Sequence, residues 1–239
     1  MDHGDNNTQF VAPGPSTPFS KKHLLLACTG STAAVMLPEM LSALTPYSAQ
    51  LEINIILTPS CLHFLPDSLT RPSPGVVIPR QYPIVSNAWT NNDEWVKWAE
   101  IGDPVLHIEL RKWADMLAIA PLTADFLAMM VNGFANGLLG GVVRAWDVEK
   151  RIVVAPAMNT FMWQHPMTED HMNELRNRFR WVHVLEPAEE RLACGGAGTG
   201  AQTQWWEVVR YLVQELGLKG QASEGLMDLT RSRGEGSGT

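Results

Sequence analysis

Four short runs of the chain are apolar at nearly every position: HLLLAC at 23–28, LEINIIL at 51–57, MLAIA at 116–120 and RIVVA at 151–155. A strand with one solvated face alternates apolar and polar residues, so runs of this kind belong to a sheet covered on both sides. Between and after them, apolar positions recur at helical spacing over 32–44, 124–131, 134–146 and 168–178. Residues 181–185 read as a fifth strand and 204–216 as a closing helix. Strands alternating with helices indicate an α/β chain with a parallel sheet and helices on both faces, because a parallel neighbour is reached only through a long crossover.

The chain has 239 residues, 45% of them hydrophobic and 18% charged, which is enough apolar material for a substantial core. No central linker interrupts the alternation, so one domain is expected over 21–217. Residues 1–20 and 218–239 carry no repeating apolar face and read as flexible tails. The rhythm also breaks over 66–92, where Pro66, Pro72, Pro74, Pro79 and Pro83 suggest an insertion forming a surface flap or a crossing arm. Eighteen basic residues against 25 acidic ones give a net charge of -7, and the basic residues are scattered, which argues against a nucleic-acid partner. The start, MDHGDNNTQF, lacks a basic and then apolar leader, and no apolar run reads as a membrane span, so a soluble cytoplasmic protein is expected. Cys28, Cys61 and Cys194 are odd in number and far apart, which indicates neither a disulfide framework nor a zinc site.

Hydroxyls gather at the ends of the predicted strands. In HLLLACTGSTAAVMLPEML a strand runs into Gly30, followed by Ser31, Thr32 and a helical pattern that opens on small residues. Such a turn offers backbone N–H groups and hydroxyls at the positive end of a helix, which suits a phosphate, although Ser and Thr serve equally as ordinary caps. One glycine in place of G-x-G-x-x-G favours a monophosphate over a dinucleotide pyrophosphate. Two more strand ends, at Thr58 to Ser60 and at Thr123, deliver hydroxyls to the same edge, where open α/β sheets bind ligands. Three such ends together point to a phosphorylated cofactor.

Three other groups carry chemistry. His107, in DPVLHIELRKWAD and five residues before Lys112, is either a proton-exchanging base or a hydrogen-bonded histidine in an apolar segment. Asn159, in PAMNTFMWQHP, either orients a carboxylate or carbonyl or caps a turn. Cys194, in RLACGGAGTGAQ, lies among Gly195, Gly196, Gly198 and Gly200, a segment that either closes a thiol over a ligand or is a plain surface loop.

Taken together these segments resemble the phosphopantothenoylcysteine decarboxylase family, flavoproteins of coenzyme A biosynthesis within the homo-oligomeric flavin-containing cysteine decarboxylases. The likeness spans about 21–216 and is carried by the GSTAA turn, TPSCLHFL, GDPVLHIELRKWADMLAIAPLTA, VRAWD, VAPAMNTFMWQHP and RLACGGAGTG. It implies a three-layer flavodoxin-like or Rossmann-like fold, FMN as cofactor, 4'-phosphopantothenoylcysteine as the small-molecule substrate, and a homotrimer with active sites between subunits. The resemblance assigns the FMN contacts to Gly30, Ser31 and Thr32, to Thr58 through Ser60 with Phe64 near the ring, to Thr123, Ala124, Asp125 and Phe126, and to Ala157. It makes His107 the catalytic base, Asn159 the holder of the substrate carboxylate, and Cys194 a proton donor in a clamp with Arg191, Leu192 and Ala193. Lys112 is expected near the substrate's negative charge, and no metal is implied.

Two positions depart from the family pattern. The clamp has Gly196 where an acid commonly follows Cys-Gly, and Asp125 stands where an amide commonly contacts the flavin. Such changes also suit a paralogue acting as a regulatory subunit, either a Ser/Thr phosphatase inhibitor or a partner in a mixed trimer. The C-terminal KGQASEGLMDLTRSRGEGSGT is short and nearly balanced in charge, unlike the long acidic tails of the phosphatase-inhibiting relatives.

Overall fold

The computed structural model describes residues 21–65, 78–96, 98, 100–191 and 199–220. In chain order, strand β1 (Lys22–Cys28) leads through a 3-10 turn (Thr32–Met36) into helix α1 (Leu37–Leu44), and strand β2 (Leu51–Leu57) follows. Next come α2 (Ile78–Gln81), β3 (Val85–Trp89), α3 (Asn91–Val96), α4 (Leu106–Trp113) and β4 (Met116–Leu122). Then α5 (Ala124–Asn132), α6 (Gly137–Arg144), β5 (Ile152–Met158), α7 (Thr160–Trp163), α8 (Pro166–Arg178) and β6 (Val182–Val184) complete the second half. A hairpin of β7 (Ala188–Arg191) and β8 (Thr199–Gln202) precedes the closing helix α9 (Trp205–Glu215).

Strands β1 to β6 are parallel in the order 3-2-1-4-5-6, and β8 pairs antiparallel with the end of β5 and carries β7 outside it. This is the doubly wound arrangement expected from the alternation, with its reversal of winding between β1 and β4. The strand register explains why the runs are apolar throughout. On β1, Leu24, Leu26 and Cys28 enter the core beneath α1 and α9, whereas Leu25 and Ala27 enter the core beneath α4, α5, α6 and α8. β5 divides likewise, Val153 and Ala155 to the first core and Ile152 and Val154 to the second. Burying each of the leucine, isoleucine and valine side chains among them contributes about 1.5–3 kcal/mol.

The insertion needs correcting. Residues 66–77 lie outside the described residues, but 78–92 form no flap: Val85–Trp89 is an edge strand parallel to β2, pairing Val85 with Ile53 and, after a one-residue register shift, Trp89 with Ile56. The Trp89 indole N–H donates to the Asn54 side chain at 3.1 Å, satisfying a buried amide across the strand pair. Five prolines concealed a five-residue strand, because proline removes only its own ladder donor and none lies inside Val85–Trp89. The tails at 1–20 and 221–239 also lie outside the described residues, while Leu218 is buried and the Lys219 N–H donates to the Gln50 side chain at 3.0 Å. The segment Ala124–Arg144 is long and apolar enough by composition to cross a bilayer. It is divided by Gly133, whose φ of 73° ends α5, and both helices send apolar side chains into the core.

His183 on β6 stacks on Tyr211 of α9, with ring centroids 4.3 Å apart and an interplanar angle of 11°. Burial, and then the nearby Arg151 guanidinium, lower its pKa below the usual histidine value. The unfolded chain therefore takes up this proton more readily than the folded one. This contribution to stability is whole above the ordinary histidine value of 6.5 and is lost as the pH falls from there through the lowered folded value. His183→Phe keeps a ring against Tyr211 and removes the proton site. Thermal melts at about pH 7.5 and about pH 5.5 are expected to show a smaller acid-induced drop in Tm for the variant, and an equal drop would exclude His183 as a contributor.

Candidate functional site

The reversal of winding leaves a crevice at the carboxyl ends of β1 and β4. There the buried Thr29 hydroxyl donates to the Pro121 carbonyl at 2.8 Å and accepts the Thr123 backbone N–H at 3.1 Å, joining the two strand ends through one side chain. Gly30 follows immediately. A Cβ at Gly30 would stand 2.4 Å from both Cβ and Oγ of Ser60, so the loops after β1 and β2 close on each other only because residue 30 has no side chain. Ser31 caps the 3-10 turn, its Oγ accepting the Ala33 N–H at 3.4 Å. Thr58 donates to the Cys28 carbonyl at 3.3 Å and lies within 3.3 Å of the Ser60 hydroxyl.

From β4, Thr123 caps α5 by accepting the Phe126 N–H at 3.3 Å. The first N–H groups of a helix have no partner within it, and they carry the positive end of its dipole. Thr29, Thr58, Ser60, Thr123, Asp125 and Phe126 line a cavity of about 300 Å³ together with Asn91 of α3 and Asn136 before α6. Hydroxyls, a side-chain-free loop and a helix N-terminus together fit a phosphoryl group. The exposed Asp125 carboxylate suits a hydroxyl donor instead, since it only accepts hydrogen bonds and repels an anion.

Asn159 stands at the end of β5, where its Oδ1 caps α7 by accepting the Met162 N–H at 2.9 Å. It borders a second cavity of about 360 Å³ with Ala124, Phe161, Met162, His165 and His171. His107 sits in the first turn of α4, its side chain 27% exposed and its Nδ1 hydrogen-bonded to the buried Glu94 carboxylate. Its ring lies against Gly141 of α6, where a Cβ would come within 3.1 Å of the imidazole. Among the described residues, His107 lines neither the cavity of Asn159 nor that of Thr58 and Ser60.

Several other expected contacts separate from this arrangement. Lys112 pairs with Glu109 on its own helix at 2.8 Å and lines neither cavity, because five residues of helix turn it to a different face from His107. Phe64 is half-buried and packs on the core beneath α1 and α9. Ala157 is buried on β5 opposite Gln202 and borders a separate recess of about 20 Å³ with Ala33 and Pro121. Thr32 is exposed on the 3-10 turn. Arg191 closes β7 opposite Thr199, and Leu192, Ala193 and Cys194 lie outside the described residues. The hairpin that brackets them is fixed to the site's edge by β8, which pairs with Ala157 and Met158, and by Thr203, whose hydroxyl donates to the Leu185 carbonyl at 3.1 Å.

The Flavoprotein family matches residues 14–217. A phosphopantothenoylcysteine decarboxylase of Arabidopsis thaliana is 40% identical over 204 residues, covering 85% of this chain and 88% of that one. Among solved structures, a PPC decarboxylase mutant complexed with pantothenoylaminoethenethiol superposes with a TM-score of 0.69 at 39% identity, covering 81% of this chain and 97% of the other. The FMN binding protein AtHal3 gives a TM-score of 0.66 at 40% identity, covering 81% and 95%. The chain belongs to the flavoprotein family and is of the phosphopantothenoylcysteine decarboxylase type.

In this flavoprotein, sequence reasoning passed over Thr29, Asn91, Glu94 and Asn136. Thr29 had a local signal, a third hydroxyl in the same CTGST turn. Glu94 had none, since its pairing with His107 arises only when α3 packs beside α4. The Thr29 bridge makes a direct test of the crevice. Thr29→Val preserves shape, removes a donor from Pro121 and leaves the Thr123 N–H without its partner, a loss of about 1–3 kcal/mol. Urea unfolding is expected to show the lower midpoint with an unchanged slope, and a wild-type midpoint would mean that the bridge contributes nothing.

Proposed function

We propose that this chain is an FMN-dependent decarboxylase that converts 4'-phosphopantothenoylcysteine to 4'-phosphopantetheine in coenzyme A biosynthesis. The observation that carries the reading is the hydroxyl-lined cavity where β1, β2 and β4 end, in a chain about 40% identical to a phosphopantothenoylcysteine decarboxylase over 85% of its length. Thr58, Ser60 and the start of α5 hold the phosphate of FMN, with Gly30 leaving room for the close approach of the backbone. Asp125 accepts from the ribityl hydroxyls, the role open to a carboxylate at that position. When bound, FMN supplies a reversible two-electron acceptor, which lets a carboxylate leave as CO2 without net oxidation.

The remaining work falls to protein side chains. His107 accepts the proton released from the substrate's cysteine side chain through Nε2, the ring nitrogen outside its bond to Glu94. Asn159 holds the departing carboxylate with its amide N–H, since its oxygen is committed to capping α7. Cys194 returns a proton to the product from a clamp formed with Arg191, Leu192 and Ala193, so the carboxylate lost is replaced by hydrogen.

The same proposal makes the protein a cytoplasmic homotrimer, and three features among the described residues support sites shared between subunits. His107 lines neither the cavity of Thr58 and Ser60 nor that of Asn159, and the first of these, about 300 Å³, is at the small end of the roughly 300–1,000 Å³ of complete ligand sites. On α3 and just after it, Trp95 is 76% and Ile101 96% exposed, a surface apolar enough for association. Mass spectrometry after incubating the FMN-supplemented full chain with 4'-phosphopantothenoylcysteine is expected to find 4'-phosphopantetheine. His107→Asn and Cys194→Ser are expected to abolish product while the protein stays yellow and folded. A flavin-loaded wild-type chain that makes no product would overturn the catalytic reading in favour of a regulatory subunit.

A further inference from the structure

Glu94 is a carboxylate with 8% of its surface exposed, and its partner is the one histidine the proposed reaction uses. Its position is fixed from several directions. Thr90 gives its backbone N–H at 2.6 Å and its hydroxyl at 2.8 Å to the Asp93 carboxylate, which closes the first turn of α3. On that turn, Asn91 accepts the Leu138 N–H at 3.1 Å, tying α3 to the start of α6. Gly137 permits that contact, since its φ is 71° and a Cβ would stand 2.6 Å from the Asn91 amide nitrogen. Glu94, three residues after Asn91, lies on the same face of α3 and meets Nδ1 of His107. Gly141 supplies the opposite wall of the imidazole.

We propose that Glu94 is the positioning residue for His107: its carboxylate accepts the Nδ1–H and so holds the imidazole in the tautomer whose lone pair is on Nε2. An ionised carboxylate can only accept, so the nitrogen facing it must carry the hydrogen, and in a neutral ring the other nitrogen is then the base. When His107 takes the substrate proton, the same carboxylate stands against the imidazolium that forms. Glu94 touches neither substrate nor flavin in this scheme and acts through His107 alone. The inference rests on the decarboxylase reading for its catalytic consequence, but the tautomer can be read without turnover.

The test uses the full chain loaded with FMN. Nitrogen-15 spectra of the histidine side chains, with His107 assigned by its loss in His107→Asn, are expected to show the hydrogen on Nδ1 in the wild type. Glu94→Gln keeps the volume but has an amide that can donate to Nδ1. It is expected to bind FMN as the wild type does, to lose the Nδ1–H signature, and to lower kcat about 10- to 100-fold with KM within about twofold. Glu94→Asp retains a carboxylate and is expected to recover part of that loss. A wild-type ring protonated on Nε2, or Glu94→Gln with wild-type kcat and spectrum, would overturn the proposal. If Glu94→Gln disturbs folding, Glu94→Asp with no better rate than Glu94→Gln would also overturn it. An inactive wild-type chain would count against the decarboxylase reading, while the spectrum would still decide the role of Glu94.

Discussion

A strand buried on both faces can present functional groups only at its ends. In β1, Leu24, Leu25, Leu26, Ala27 and Cys28 are all fully buried, so the first polar group able to act on anything outside the core is Thr29. Its hydroxyl bridges the Pro121 carbonyl and the Thr123 N–H, and that bridge fixes the crevice where the winding of the sheet reverses. Everything proposed for the cofactor depends on this joint. Gly30 can meet Ser60, and Thr123 can start α5 facing Thr58, only if the ends of β1 and β4 stay level.

The free thiols nearby show the same constraint from the inside. Cys28 is wholly buried, donates to the Ala120 carbonyl at 3.1 Å, and has its pKa raised well above the usual thiol value by its hydrogen bond with Cys61 and then by burial. It stays neutral and unreactive a residue away from the crevice.

The two halves of the candidate chemistry are built by different means. The cavity at the carboxyl edge is assembled from segments that directly follow strands, so each hydroxyl is aimed by a rigid ladder. His107 is held instead by three helices packed side by side, through Glu94 on α3 and Gly141 on α6. Among the described residues, His107 lines neither the cavity of Thr58 and Ser60 nor that of Asn159, so the candidate base is held apart from the sheet edge that carries the hydroxyls.

The doubly wound sheet was legible in the sequence because it depends on local patterns: apolar runs too uniform for a one-sided sheet, separated by helical spacing. β2 was expected at 51–57 and found at Leu51–Leu57, and the hydroxyls of Thr58, Ser60 and Thr123 were placed on one edge by topology alone. Edge strand β3 was hidden, since its alternation is short and its neighbourhood full of prolines, and its pairing with β2 is a long-range event. Lys112 was expected near the substrate's negative charge from the resemblance, and on the single chain it pairs with Glu109 one turn away on its own helix. The sequence by itself determined which residues end strands, because burial and periodicity are properties of neighbours in the chain. Only the tertiary structure decided that Thr29 would bridge two strand ends and that Glu94 would hold His107. Those contacts form between residues 94 and 13 positions apart, brought together by packing that no local pattern encodes.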